Sequence, residues 1–147
     1  TGFNKNLKKY KIKGKSIFDV WKMTLDEAID FFEDIDKSIT KVCITASEIM
    51  LGHLQIGQAT ATLSGGENIR IKIMKASKST AKVIGVDEPF KGLSNIEIDA
   101  VANYLNRIRE KGKTLIVIDH STGVEDYFSQ WIQIENIDNR LIGKQFK

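Results

Sequence analysis

The chain of 147 residues has one cysteine, one proline, two histidines and no long apolar run. A single thiol, Cys43, excludes a disulfide framework and a zinc cluster, which needs several Cys or His ligands at fixed spacing. Cys43 falls on the apolar spacing of a predicted helix and reads as core. No apolar stretch approaches the ~20 residues that cross a bilayer as a helix, and no signal peptide is visible. The expectation is a soluble, cytoplasmic protein with no membrane partner. Internal repeats and low-complexity linkers are missing too, and so is a phosphate cradle. A G-x-x-x-x-G-K-[ST] loop surrounds phosphates with backbone N–H groups and reaches their outer oxygens with its lysine. Gly14-Lys15-Ser16 has Lys9 where the first glycine is needed, and Gly112-Lys113-Thr114 has Arg107 there. Gly143-Lys144-Gln145 lacks both the hydroxyl and the first glycine.

What is present suffices for one core of ordinary size, since 41% of the residues are hydrophobic. The net charge of +3 is too mild to argue for nucleic acid by itself. Its distribution is uneven: residues 5–22 hold seven lysines and one acid, and residues 26–36 hold six acids. The ordinary reading is a solvated lysine-rich end followed by an acidic helix face. The sharper alternative is an arm that faces phosphates.

Residues 7–13 alternate (Leu7, Tyr10, Ile12) as a short strand or arm, and Ser16 to Met23 carries Ile17, Val20 and Trp21 at helical spacing. Thr24 and Glu27 form a capping box ahead of the stripe Leu25, Ala28, Ile29 and Phe32. A second helix is predicted from about Asp36 to Leu51, with Ile39, Val42, Cys43, Ala46, Ile49 and Met50 on one side and Gly52 as its C-cap. After a loop over 57–62 the pattern changes to α/β alternation. A helix runs from Ser64 to about Lys78, and a strand covers 82–87. A long helix capped by Ser94 and Glu97 carries Ile98, Val101, Ala102, Leu105 and Ile108. The apolar strand at 114–118 implies burial on both faces of a parallel sheet. A short helix near 123–128, a strand at 131–135 and an edge hairpin strand at 140–146 follow. The expected fold class is α/β, a parallel sheet flanked by helices and preceded by a small helical segment, divided into 1–56 and 57–147.

Three motifs carry chemistry. Leu63-Ser64-Gly65-Gly66-Glu67 places a serine and two glycines at a helix N-terminus. There backbone N–H groups can approach an anion, the hydroxyl adds a donor, and the helix dipole favours negative charge. Alone, the pentapeptide is equally an ordinary serine N-cap. Val83 to Pro89 is a strand ending in two carboxylates that can divide labour, with Asp87 holding Mg²⁺ and Glu88 orienting and deprotonating a water. His120 follows Glu88 by 32 residues at the end of the next strand, where an imidazole can contact a γ-phosphate. His53 has no such placement and reads as structural or incidental.

In this order and spacing the motifs resemble the ABC ATPase superfamily: signature Leu63–Glu67, Walker B strand Val83–Glu88, D-loop Gly92-Leu93-Ser94 and switch histidine His120. Gly57-Gln58-Ala59-Thr60-Ala61-Thr62 before the signature is similar to the G-Q-x-x-x-T-L-S-G-G-E run of the UvrA family, the ATPase component of the ABC excinuclease. Lys13 to Ala28 resembles that family's K-G-K-x-I-x-x-V-L-x-M-T-x-x-E-A segment, and Gly2-Phe3-Asn4 resembles the residues after its last zinc-binding cysteine. The resemblance implies the C-terminal part of a second ABC ATPase domain in a DNA-repair ATPase. ATP and Mg²⁺ would be its cofactors, and zinc would be bound elsewhere in the complete protein. Implied partners are the remainder of its own ATPase domain, a second ABC ATPase domain or subunit, DNA and other excision-repair subunits. Nucleotide-site residues would be Ser64, Gly65, Gly66, Glu67, Gly92, Leu93 and Ser94, with Asp87, Glu88 and His120 at the reacting end. Without a P-loop, the isolated chain is expected to be inactive. Phe90-Lys91 stands where the family usually has two threonines, Ser94 where it has histidine, and Asp119 where it has glutamate. Alternatives are a UvrA-like paralogue tied to drug resistance, an ABC transporter motor domain, and a non-catalytic interaction module.

Overall fold

A computed structural model of the chain describes residues 4–137 and 140–146. The reading placed on Gly2 and Phe3 lies outside them. A 3₁₀ turn at Lys5–Lys9 leads into a two-residue hairpin, β1 (Lys11–Ile12) against β2 (Lys15–Ser16). Lys13 and Gly14 turn the hairpin with positive φ, as a tight two-residue connection requires. The alternation over 7–13 therefore does not make one strand, and Leu7, Tyr10 and Ile12 are exposed. Lys13 turns back to Asp34 at 3.4 Å, so one lysine of the basic end already has a partner in the acidic stretch.

Three helices follow: α1 (Ile17–Lys22), α2 (Leu25–Phe32) and α3 (Lys37–Glu48). The first two are opened by capping boxes, Ser16 with Asp19 and Thr24 with Glu27, each worth about 1 kcal/mol to its helix. α2 and α3 pack together along Ala28 and the row Thr40, Cys43 and Ala46. This corrects the expected stripe of α3, because Ile39, Val42 and Met50 are each more than a third exposed. Thr40 can lie inside because its hydroxyl donates to the Asp36 carbonyl. The C-cap is corrected as well. Met50, not Gly52, takes the left-handed conformation (φ 62°), while Gly52 is needed because Asp26 lies where a Cβ would be.

The α/β portion contains α4 (Gly65–Ser77), β3 (Val83–Asp87), α5 (Asn95–Glu110) and β4 (Thr114–Ile118). β3 and β4 are parallel, with Val83 opposite Thr114 and Asp87 opposite Ile118. Ile73, Met74, Ile84, Val86, Val101, Leu105 and Ile108 form the centre of the core, which Ala46, Ile49, Leu51 and Leu54 join from the preceding residues. On the surface, a two-pronged Arg107–Glu48 pair at 3.1 and 3.0 Å ties α5 to α3. The expected burial of both sheet faces is not found: Val83, Ile116 and Ile118 are each more than half exposed. A parallel sheet is covered on both sides only when two layers are present, and the described residues supply one. The predicted short helix near 123–128 is a 3₁₀ turn at Glu125–Tyr127. An antiparallel hairpin, β5 (Trp131–Ile137) and β6 (Arg140–Phe146), forms its own two-stranded sheet beyond it. Among the described residues no helix is long and apolar enough to cross a membrane.

Candidate functional site

The register of β3 and β4 brings the two acidic strand ends to one edge. The Glu88 N–H donates to the Ile118 carbonyl at 2.7 Å, one residue beyond the last pair of the ladder. At that point the chain leaves the sheet with Glu88 in the left-handed region (φ 49°). A non-glycine residue there costs of order 1–3 kcal/mol, and it persists where the surroundings enforce it. Pro89 and Phe90 are fully buried behind it. Asp87 and His120 are exposed at the same edge.

Asp119 fastens this edge. Its Oδ2 accepts the Phe90 N–H at 2.9 Å and its Oδ1 accepts the Ser121 N–H at 2.7 Å. Burial acts to raise its pKa, but hydrogen bonds from Ser121, Phe90 and His120 outweigh this and hold the carboxyl below its usual range. Glu88 is paired with Lys91, whose Nζ lies 2.6 Å from Oε2. The hydrogen bond and charge of Glu88 raise the Lys91 pKa, with Asp87 and Asp119 adding to the effect.

A second set of residues lies at the N-terminus of α4. Glu67 Oε2 accepts the Ser64 N–H at 2.7 Å, and the Ser64 hydroxyl accepts the Glu67 N–H at 3.2 Å. Asn68 N–H bonds the Ser64 carbonyl. This leaves the N–H groups of Gly65 and Gly66 without intrahelical partners, as in any first helical turn. Beyond its chain neighbours and its own helix backbone, nothing lies within 4 Å of where a Cβ on Gly65 would be, so an anion can approach closely. Glu67, by contrast, is fully engaged: its Oε1 meets His53 Nε2 at 2.9 Å. The Ser64 N–H and then His53 hold its pKa low.

The D-loop adjoins this second set. Gly66 faces Leu93, whose Cδ2 would be 3.7 Å from a Cβ there, and Gly92 (φ 72°) makes the turn that brings Leu93 in. Ser94 differs from Ser64, because its N–H and its hydroxyl both donate to Glu97 Oε2 at 2.9 Å. Beneath them Arg70 is buried, with Nη1 3.7 Å from Glu97 Oε1 and no hydrogen-bond acceptor for Nε or Nη1. Among the described residues no side-chain hydrogen bond or ion pair joins this set to the Asp87–Glu88–Asp119 edge.

The residues singled out in the sequence thus fall into two sets, Ser64 to Glu67 with Gly92 to Ser94, and Asp87 and Glu88 with His120. Sequence reasoning missed His53, which precedes Glu67 by 14 residues and carries no local signal. It also missed the Lys91 contact, although the i, i+3 spacing from Glu88 was visible. Among the described residues no three His, Cys, Asp or Glu side chains converge as a metal cage. Mg²⁺ needs none, since it is held by one or two carboxylates, water and substrate phosphates. An exposed Asp87 at a strand end fits that requirement.

No protein-family profile matches the chain. A UvrABC system protein A of Rickettsia bellii is 39% identical over 125 residues, which are 83% of this chain and 13% of that protein. Its counterpart from Thermus thermophilus is 36% identical over the same extent. The crystal structure of UvrA2 from Deinococcus radiodurans superposes with a TM-score of 0.83 at 30% identity, over 97% of this chain and 18% of that one.

The chain belongs to the UvrA family.

It spans only 13% of the length of the curated UvrA relatives it matches. The fold is α/β, as expected, and matches that of UvrA2 over this segment. RNase-L Inhibitor shares the fold alone, at a TM-score of 0.53 and 24% identity over 94% of this chain and 26% of that one.

Proposed function

We propose that these residues are the signature-to-switch portion of the second ABC ATPase domain of a UvrA-like, DNA-binding excision-repair protein. The proposal includes the division of the chain at 56/57, and it leaves the P-loop and the zinc module to other parts of the complete protein. The exposed face of β3 and β4 would be covered by the remainder of the same ATPase domain.

The observation that carries this reading is the open N-terminus of α4, uncoupled from the carboxylate edge. Gly65 and Gly66 present first-turn N–H donors to outside space, whereas the carboxylates collect at the strand ends. Donors with no bond to their own strand ends suit a nucleotide brought by a second ATPase domain. In that arrangement Asp87 holds Mg²⁺, which neutralises phosphate charge when bound. Glu88 orients a water and takes its proton. His120 reaches toward the γ-phosphate from the adjacent strand end. Glu67, Leu93 and Ser94 act by holding the signature and D-loop in place, since the Glu67 carboxylate and the Ser94 hydroxyl are already engaged. Closure of the two domains would then alter the grip on DNA.

Gly65→Asp tests the assignment in the complete protein. The substitution sets a carboxylate where phosphate must approach. Equilibrium titration with Mg-ATP is expected to show unchanged binding at the domain's own P-loop, while a distance probe across the two domains shows loss of ATP-driven closure. Loss of both together would mean that the turn serves its own site or the fold.

A further inference from the structure

We propose that Lys91 is a positioning residue that restrains Glu88, held against it until the site is loaded; this rests on the reading of Glu88 as the group that takes the proton from water. The ammonium group lies 2.6 Å from Glu88 Oε2. Glu88 itself is fixed in the left-handed region by its N–H bond to Ile118, so the carboxylate has little backbone freedom with which to turn away. One of its two oxygens is therefore occupied in the arrangement described. A water placed for attack needs that carboxylate free to receive it, so the pair has to loosen first.

The surroundings explain why a cation sits there. Asp87, Glu88 and Asp119 all act on Lys91, and three carboxylates at one edge repel each other unless a positive charge offsets them. Lys91 supplies that charge from a flexible stem that is 70% exposed, so it can swing into solvent when another cation takes its place. A threonine, serine or alanine at 91 could not form the ion pair. An exposed pair of this kind is weak and screened by solvent, which limits the restraint to a few-fold effect on rate.

The test uses the complete protein and single-turnover hydrolysis at saturating Mg-ATP, with nucleotide affinity measured separately. K91T is expected to raise the hydrolysis rate about 2- to 5-fold, with affinity unchanged. K91R, which keeps the charge, should behave as wild type. In an E88Q background, K91T should have no effect, because the gain acts only through Glu88. A K91T rate at or below wild type, or a gain that persists beside E88Q, overturns the restraint. If E88Q alone turns over like wild type, the reading of Glu88 as base fails instead, whatever K91T does.

Discussion

At the N-terminus of α4 the carboxylates are spent inside the protein, and the donors are left free. Glu67 is divided between Ser64 and His53, and Glu97 is taken by Ser94 beside the buried Arg70. At the end of β3 the balance is reversed. Asp87 is exposed, Glu88 is held by one exposed lysine, and only Asp119 is tied to backbone N–H groups. Both places use the same residue types, a short polar side chain and an acid. The difference lies in what geometry leaves over: an electropositive, open helix start in one case and a surplus of negative charge in the other. A phosphate suits the first and a divalent cation suits the second, so the two ends can serve opposite charges of the same ligand class.

The contrast breaks most severely at Glu88. Glu88→Gln in the complete protein removes the base and keeps the shape, so turnover should fall about 10²- to 10⁴-fold while ATP affinity stays near wild type. Retention of more than half the rate would reduce Glu88 to a structural role.

A smaller effect is expected at Asp119, the one acid of that edge with fixed backbone partners. Asp119→Ala deletes two charge-assisted bonds. The loss should be about 1–2 kcal/mol by denaturant titration, after allowing for solvent screening. The sign of the pH dependence follows from its lowered native pKa. The stability it contributes is present above about pH 4, the usual range of an unfolded carboxyl. It is lost as pH falls through the lower native value. The variant should therefore show a flatter acid limb than the parent, and an unchanged limb would assign acid sensitivity elsewhere.

The mildest change is His53→Ala, expected to cost at most about 1 kcal/mol because the ring is largely exposed. Glu67 would keep its bond to the Ser64 N–H and lose its second support, so its carboxyl should titrate higher by NMR. An unmoved Glu67 would show that the helix cap alone holds it.

Helix starts were legible because their cause is local: a Ser or Thr and an acid three residues on meet within one turn at Thr24, Ser64 and Ser94. The strand ends were legible from an apolar run stopping at Asp87 and at Asp119. What depended on distant packing was not. Ile39 and Val42 match the helical period as well as Ala46 does, and only the placement of α2 decides which side goes in. The apolar run of β4 records a need for two covering layers, and local sequence does not say where the second comes from. Met50 took the left-handed turn expected of Gly52, and that glycine answers instead to Asp26, which lies where its Cβ would be. Within the candidate site, His53 was invisible because its partner is brought to it by the fold.

The uncovered side of β3 and β4 bears on how the segment behaves once separated from neighbouring chain. Val83, Ile116 and Ile118 form an apolar strip on a sheet whose outer edges pair with no other strand among the described residues. Such surfaces attract their own kind, and strand edges add directional bonds to that attraction. Prepared by itself, the segment should be colloidally unstable, and its solubility should improve when a polar residue replaces Ile116.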